Sequence, residues 1–319
     1  MTAVLCGLGA WLPPAVVTND DLAAELDTSD EWITTRTGIR SRHVADPSLA
    51  TSDLAVEAGA RALKSAGAAS VDAVVLATTT PDQRCPATAP LVSARLGLGT
   101  VPAFDVQAVC TGFLYGLGIS AGLIASGAAE RVLLIGAETY SRILDPADRS
   151  TRVIFGDGAG AVVLRAGEPD ELGALGPVQL GSDGTGHDMI TIPSGGARDP
   201  FGTDPYFRMR GSAVFRHAVE RMTESARTAL RTAGWAEPDV LVAHQANLRI
   251  IHAVAGQLGV SRDRCAVHLD RVGNTAAASI PLALSDARLA PGTRVLLTGF
   301  GGGLAWGACA LRWPDLSLT

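Results

Sequence analysis

The chain has 319 residues, 47% of them hydrophobic and 18% charged, and a net charge of −6. This composition excludes a disordered or fibrous chain, and the length accommodates two structural units or one large α/β body. The acidic balance argues against a nucleic-acid partner, which is gripped through a basic excess. Lys64 is the single lysine in a chain rich in arginine and alanine, a bias read first as genomic and only second as a preference for phosphate ligands.

The cysteines Cys6, Cys85, Cys110, Cys265 and Cys309 include no C-x-x-C pair. Neither a disulfide framework nor a zinc site is therefore expected, and a reducing cytoplasm is the expected compartment. Met1-Thr2-Ala3-Val4 opens without a basic stretch ahead of an apolar run, so no secretory signal is expected.

In chain order, the first strong signal is an amphipathic helix ending at Ala62-Leu63-Lys64-Ser65-Ala66-Gly67, glycine being a usual helix stop. Asp72 and the apolar strand Val74-Val75-Leu76-Ala77 follow, then a second strand, Ala103-Phe104-Asp105-Val106, leading into a helix predicted to open at Cys110. No charged residue occurs from Val106 to Ala129, a run long enough to span a bilayer. Its glycines and serines predict instead a helix packed on all sides inside a large protein. The strand Arg131-Val132-Leu133-Leu134 and the turn Phe155-Gly156-Asp157-Gly158-Ala159-Gly160 close the segment.

The same order then returns. Ala229-Leu230-Arg231-Thr232-Ala233-Gly234 ends a helix; Asp239 and Val240-Leu241-Val242-Ala243 follow; Cys265-Ala266-Val267-His268 reads as the second strand. A small-residue helix is predicted to open near Asn274, ahead of Arg294-Val295-Leu296-Leu297 and Phe300-Gly301-Gly302-Gly303. The copies lie about 165 residues apart, a self-similarity that organises the whole fold. The expectation is an α/β protein of two repeated halves, residues 1–165 and 166–319, with strands buried on both faces. Segments 19–50 and 166–212, richer in Pro, Gly and charge, are expected as surface insertions that shape a site.

The repeat places Cys110, His244 and Asn274 at equivalent ends of buried elements. A cysteine at a helix N-terminus meets unpaired N–H groups and a partial positive charge, which favour the thiolate a nucleophile needs. Taken singly, Cys110 reads equally as a small buried residue, His244 as a hydrogen-bonded structural histidine and Asn274 as a turn or N-cap residue. Their combination points to chemistry.

Several motifs in order carry a resemblance over essentially the whole chain: Asp30-Glu31-Trp32-Ile33, Arg36-Thr37-Gly38-Ile39-Arg40, the Cys110 region, Phe155–Gly160, His244-Gln245-Ala246-Asn247, Gly273-Asn274-Thr275 and Phe300–Gly303. The sequence resembles the β-ketoacyl-acyl carrier protein synthase III family of the thiolase superfamily. The resemblance implies the five-layered αβαβα thiolase fold, a homodimer and a Cys110-His244-Asn274 triad. It implies decarboxylative Claisen condensation, through an acyl-Cys110 intermediate, of an acyl-CoA primer with malonyl-acyl carrier protein, initiating fatty acid or polyketide synthesis. His244 and Asn274 would hold the enolate, and the backbone N–H groups of Cys110 and Gly302 the tetrahedral oxyanion. No metal or redox cofactor is implied, acyl-CoA being a substrate.

By the same resemblance Trp32 and Arg149 would sandwich the CoA adenine, with Thr28, Arg36 and Arg152 at the phosphates or entrance. Gly211, Asn247 and Phe300 would line the pantetheine channel, and Arg216 and Arg249 would dock the carrier protein. Two departures stand out. Gly256 and Gln257 stand where the resemblance implies a basic pair of the docking surface, and Cys85, in Arg84-Cys85-Pro86, stands where related enzymes often have an aromatic or other uncharged residue in the acyl pocket supplied across the dimer. A smaller side chain there leads to an expectation of primers beyond acetyl.

Neighbouring enzyme types fit less well. A degradative thiolase would bring a second cysteine into the turn that reads Phe300-Gly301-Gly302-Gly303; an elongating synthase would use two histidines; a hydroxymethylglutaryl-type synthase would need a carboxylic acid base. Retention of all three candidate residues argues against a non-catalytic scaffold subunit. The alternative left open is a synthase III-like acyltransferase of secondary metabolism that passes the acyl group to a non-malonyl acceptor.

Overall fold

The computed structural model describes residues 1–316. Strands β1 (Thr2–Trp11), β2 (Ala73–Ala77), β3 (Ala103–Val106), β4 (Arg131–Glu138) and β5 (Gly158–Gly167) form one sheet in the order β1-β5-β4-β2-β3. Within it β2 is parallel to both neighbours and β5 antiparallel to both. Strands β6 (Gln179–Ser182), β7 (Val240–Ala243), β8 (Arg294–Gly301) and β9 (Ala305–Arg312) form a second sheet in the order β7-β8-β9-β6. There β7 and β8 are parallel and the remaining pairs antiparallel, which repeats the pattern of the first sheet.

A shared device fixes the register of both sheets. Just before the first parallel strand of each half an aspartate accepts the backbone N–H that opens the neighbouring strand: Asp72 Oδ2 from Arg131 and Asp239 Oδ2 from Arg294, both at 2.8 Å. Arg294 adds its guanidinium at 2.6 Å from Asp239 Oδ1, and these bonds hold the Asp239 carboxyl down to about 2.

Helix α1 (Thr51–Ser65) covers the outer face of the first sheet, and α2 (Gly112–Ala125) lies on its inner face. Helix α3 (Gly211–Ala233) covers the outer face of the second sheet, flanked by α4 (Leu248–Leu258), while α5 (Ser279–Asp286) joins α2 in the central layer. The layers are therefore α, β, α, β, α. Phe113, Leu114, Leu117 and Ile124 of α2 are all buried, and burying each stabilises the fold by about 1.5–3 kcal/mol. A Cβ on Gly116 would fall 2.3 Å from Leu134 Cδ1, so the small residues of the uncharged run allow helix and sheet to meet. Among the described residues no helix is long and apolar enough to cross a membrane.

Three expectations need correction. Cys265–His268 is no strand: only Cys265 bridges to Leu241, because Gln245 Oε1 takes the N–H groups of His268 and Leu269 that would extend the ladder. Segment 166–212 is not wholly an insertion, since β5 runs on to Gly167 and β6 is the edge strand of the second sheet. The central helices start later than expected, at Gly112 and Ser279, each after a single turn of 3₁₀ helix.

Candidate active site

Beyond β3 the chain turns sharply through Val109–Thr111 before entering α2. Val109 has φ 48°, a left-handed conformation that a β-branched residue adopts only under constraint, at a cost of order 1–3 kcal/mol. That turn presents Cys110 at the end of α2. The second half repeats it: Ala276, φ 44°, opens the turn Ala276–Ala278 ahead of α5. The two turns pack together, and a Cβ on Gly112 would stand 3.2 Å from that of Ala277.

Cys110, His244 and Asn274 line one small chamber of about 40 Å³ with Phe155, Phe207 and Phe300, and are 7%, 3% and 4% exposed. The fold thus brings together residues from both halves. Asn274 is held by its backbone, whose N–H donates to Ile154 O at 2.8 Å and whose carbonyl accepts from Gly156 at 3.0 Å. Its Oδ1 accepts the Ala276 N–H at 2.9 Å, leaving the amide N–H groups for the chamber, where the side chain hydrogen-bonds Cys110. His244 follows directly on β7, and its Nδ1 lies 2.6 Å from Ser279 Oγ on α5. Ser279 Oγ also accepts the Gln245 N–H, so its own proton is available to Nδ1; that tautomer places the ring proton on Nε2.

Burial dominates the electrostatics. It lowers the His244 pKa to about 3, so the ring is neutral at physiological pH. It raises the Cys110 thiol to about 12, with the Glu138 charge adding to the rise and hydrogen bonds from its own backbone and Asn274 opposing it. The expectation of a resting thiolate is therefore corrected: the partial charge of a helix end does not offset loss of water around sulfur, and Cys110 rests as a thiol.

The outer residues form a second group. Trp32 lies on the helix Asp30–Thr37, with the Arg36 guanidinium 4.5 Å and that of Arg149 5.3 Å from its ring centroid. These cation–π contacts favour a planar, anion-bearing ligand at this spot. Arg149 also pairs with Asp27, and Arg152 with Glu25. Thr28 Oγ1 is buried with no hydrogen-bond partner among the described residues. Asn247 caps α4 and donates from Nδ2 to Arg36 O at 3.0 Å, tying that helix to the Trp32 segment. Gly211 opens α3 with free space where a Cβ would be. Gly301 presses on the elbow, its Cβ position 2.9 Å from Cys110 N, with Gly302 the next residue in the turn. Arg216 and Arg249 are exposed and form no ion pair among the described residues. Cys85 is also exposed and lies away from its own chain's chamber.

The family described as 3-oxoacyl-[acyl-carrier-protein] synthase III matches residues 104–184, and its C-terminal counterpart residues 230–313. The chain is 62% identical to "Beta-ketoacyl-[acyl-carrier-protein] synthase III 3" of Streptomyces coelicolor, over 98% of this chain and 97% of that one. The chain belongs to the β-ketoacyl-acyl carrier protein synthase III family. The crystal structure of the Pseudomonas aeruginosa 3-oxoacyl-(acyl carrier protein) synthase III matches it with a TM-score of 0.95 and 53% identity, covering 99% of this chain and 100% of that one. The priming β-ketosynthase of a polyketide pathway matches with a TM-score of 0.92 and 36% identity, covering 99% and 97%. Membership of this synthase family makes the chain an acyl-transferring condensing enzyme of the thiolase fold.

Sequence reasoning missed Ser279 and Glu138. Ser279 was visible as the one polar side chain in Ala276-Ala277-Ala278-Ser279-Ile280-Pro281, and Glu138 as an acid ending a strand buried from Val132 onward. Glu138 accepts the Thr79 N–H at 3.0 Å and the Thr80 hydroxyl at 2.8 Å, and also receives the Ala277 N–H. It thereby ties the Thr78–Thr80 loop of one half of the synthase to the strained turn of the other.

Burial raises the Glu138 carboxyl from 4.5 to about 7. The folded state then keeps a proton that the unfolded chain releases, so this group's contribution is full below 4.5 and lost as pH rises through 7. His244 acts oppositely, its contribution being present above 6.5 and lost as pH falls towards 3. Comparing wild type with Glu138→Gln isolates the first effect. Between about pH 4.5 and pH 8, the variant is expected to gain about 3 kcal/mol relative to wild type, read as melting temperature at each pH. A stability difference independent of pH would show that folding does not raise the Glu138 pKa.

Proposed function

We propose that this protein condenses an acyl-CoA primer with malonyl-acyl carrier protein, using Cys110 as nucleophile and His244 and Asn274 as enolate-stabilising donors. The observation that carries the proposal is the meeting of these three residues in one buried chamber. In the first step a bond forms between Cys110 Sγ and the acyl carbon as the bond to the CoA sulfur breaks, and the thiol proton passes to CoA. In the second the malonyl group loses carbon dioxide, and its thioester oxygen, now an enolate, receives N–H bonds from His244 Nε2 and Asn274 Nδ2. Neutral, fixed donors suit a charge that develops only in the transition state. In the third the enolate carbon attacks the acyl-Cys110 carbonyl, the Cys110 and Gly302 N–H groups hold the oxyanion, and collapse frees the cysteine.

The chemistry requires no metal or redox cofactor. Trp32 and Arg149 hold the adenine, with Thr28, Arg36 and Arg152 at the entrance and Gly211, Asn247 and Phe300 along the channel. Trp32→Ala is expected to raise KM for acyl-CoA about tenfold with little change in kcat; a kcat loss at unchanged KM would contradict this placement. The protein works as a cytoplasmic homodimer in this reading. The exposed loop carrying Cys85 reaches the partner's acyl pocket, and the cavity of about 950 Å³ lined by Thr79, Val109 and Gly302 receives it.

The decisive experiment supplies acetyl-CoA and longer acyl-CoA primers, follows the intact mass of the protein, then adds malonyl-acyl carrier protein. One carbon dioxide and one 3-ketoacyl carrier product per acyl-enzyme are expected. Gly256 and Gln257, which leave the docking face of Arg216 and Arg249 less basic, favour the second reading, a non-malonyl acceptor. A stable acyl-enzyme that malonyl-acyl carrier protein fails to discharge would support that reading over the first.

A further inference from the structure

Gln245 follows His244 in the chain but does not line the chamber. It is 1% exposed, and its amide is fully used. Nε2 donates to Ala243 O, the last carbonyl of β7, at 2.7 Å and to Ala266 O at 3.2 Å. Oε1 accepts the N–H groups of His268 and Leu269 at 2.9 and 3.2 Å. With two carbonyls on one side and two backbone donors on the other, one orientation of the amide satisfies all four groups. An aliphatic side chain of the same length would leave all four unpaired.

These bonds run between the two segments that deliver His244 and Asn274. On one side, the Ala243 carbonyl directly precedes His244, whose own N–H donates to Thr298 O at 2.8 Å. The backbone N–H of Gln245 reaches Ser279 Oγ, the group that contacts His244 Nδ1. On the other side, His268 and Leu269 open the one-turn helix Leu269–Val272, which has no side-chain cap of its own. Gln245 Oε1 takes the place of that cap. The helix closes through the Gly273 N–H on Leu269 O at 2.9 Å, and Gly273, with φ 70°, turns the chain into Asn274. Ile154 and Gly156 hold Asn274 from the first half; Gln245 holds the approach to it from the second.

We propose that Gln245 is a positioning residue for malonyl decarboxylation: it fixes the spacing of His244 and Asn274 by tying the strand end that carries one to the turn that delivers the other. The proposal rests on these two residues being the enolate donors. Two donors that serve one oxygen act only while both point at it, and a misplacement of about 1 Å can cost on the order of 10²-fold. A buried amide with every bond made holds one arrangement. Acylation of Cys110 depends on the elbow of the first half, which Gln245 does not hold.

The test follows the two half-reactions separately: acyl-enzyme mass from acetyl-CoA, and carbon dioxide release from malonyl-acyl carrier protein. Gln245→Met keeps the length of the side chain and makes none of the four bonds. It is expected to acylate within about twofold of wild type while losing decarboxylation on the order of 10²-fold, in kcat rather than KM. Added to the His244→Ala/Asn274→Ala pair it should cost little further, because it acts through those donors. Gln245→Glu keeps the acceptor and, protonated between two carbonyls, one donor; it is expected to lose only about tenfold in decarboxylation and decides the matter if Gln245→Met does not fold. Equal losses in both half-reactions, wild-type decarboxylation in either Gln245 variant, or a cost that adds in full to that of the double variant overturns the positioning role alone. Decarboxylation that persists in the His244→Ala/Asn274→Ala protein overturns the enolate assignment and the positioning role with it.

Discussion

Cys110→Ala is expected to take up no acyl mass from any acyl-CoA and to lose condensation by at least about 10⁴-fold, the scale seen when a covalent nucleophile is removed. No other cysteine stands in for it. Cys309 is buried within β9, Cys6 lies in β1 at the outer side of the first sheet, Cys85 is exposed and Cys265 half-buried, and none of them lines the chamber. The variant is expected to fold, since alanine keeps the Cβ that the elbow presents and gives up only a sulfur facing a small void. Its melting temperature should stay close to wild type. If it forms acyl-enzyme, the chemistry runs through a different residue and the chamber is not the site.

The second large effect separates the half-reactions. His244→Ala and Asn274→Ala are each expected to keep self-acylation of Cys110 while losing malonyl decarboxylation by about 10²–10³-fold, the range for removing one donor from a developing oxyanion. The double variant should lose little more than the worse single one, because both donors serve the same enolate oxygen. Carbon dioxide release and acyl-enzyme mass are followed on the same samples. Decarboxylation that survives the double substitution would remove both residues from the mechanism. Ser279→Ala offers a milder companion, since loss of the 2.6 Å contact to Nδ1 leaves His244 in place but releases its tautomer.

The repeat drew attention to Cys110, His244 and Asn274 before any contact was known, and the fold gathers the three in one chamber, although the residue that matches Cys110 in the second half is Ala277 rather than Asn274. The strands with long apolar runs, Val74–Ala77 and Val295–Leu297 among them, were equally clear. What local pattern could not reveal was how long-range partners would reassign backbone groups. Cys265–His268 has the apolar alternation of a strand, yet Gln245, a residue far from it in sequence, takes its donors. Gln179–Ser182 is short and polar, and only pairing with β9 makes it a strand. The thiolate expectation failed for a related reason: a helix end can be read from sequence, whereas the depth at which it is buried cannot.

The strained turn at Val109 has a counterpart at Ala276 that presents alanine where the first presents Cys110. Two halves that share topology, the aspartate clamp and even this uncommon backbone geometry are readily understood as descendants of one duplicated gene, whose product would have carried the elbow in both copies. Their contact shows why both did not keep a reactive side chain. Ala277 occupies the place corresponding to Cys110, and its Cβ already abuts Gly112, so anything larger there would push the working elbow out of position. The second turn serves as a mould for the first.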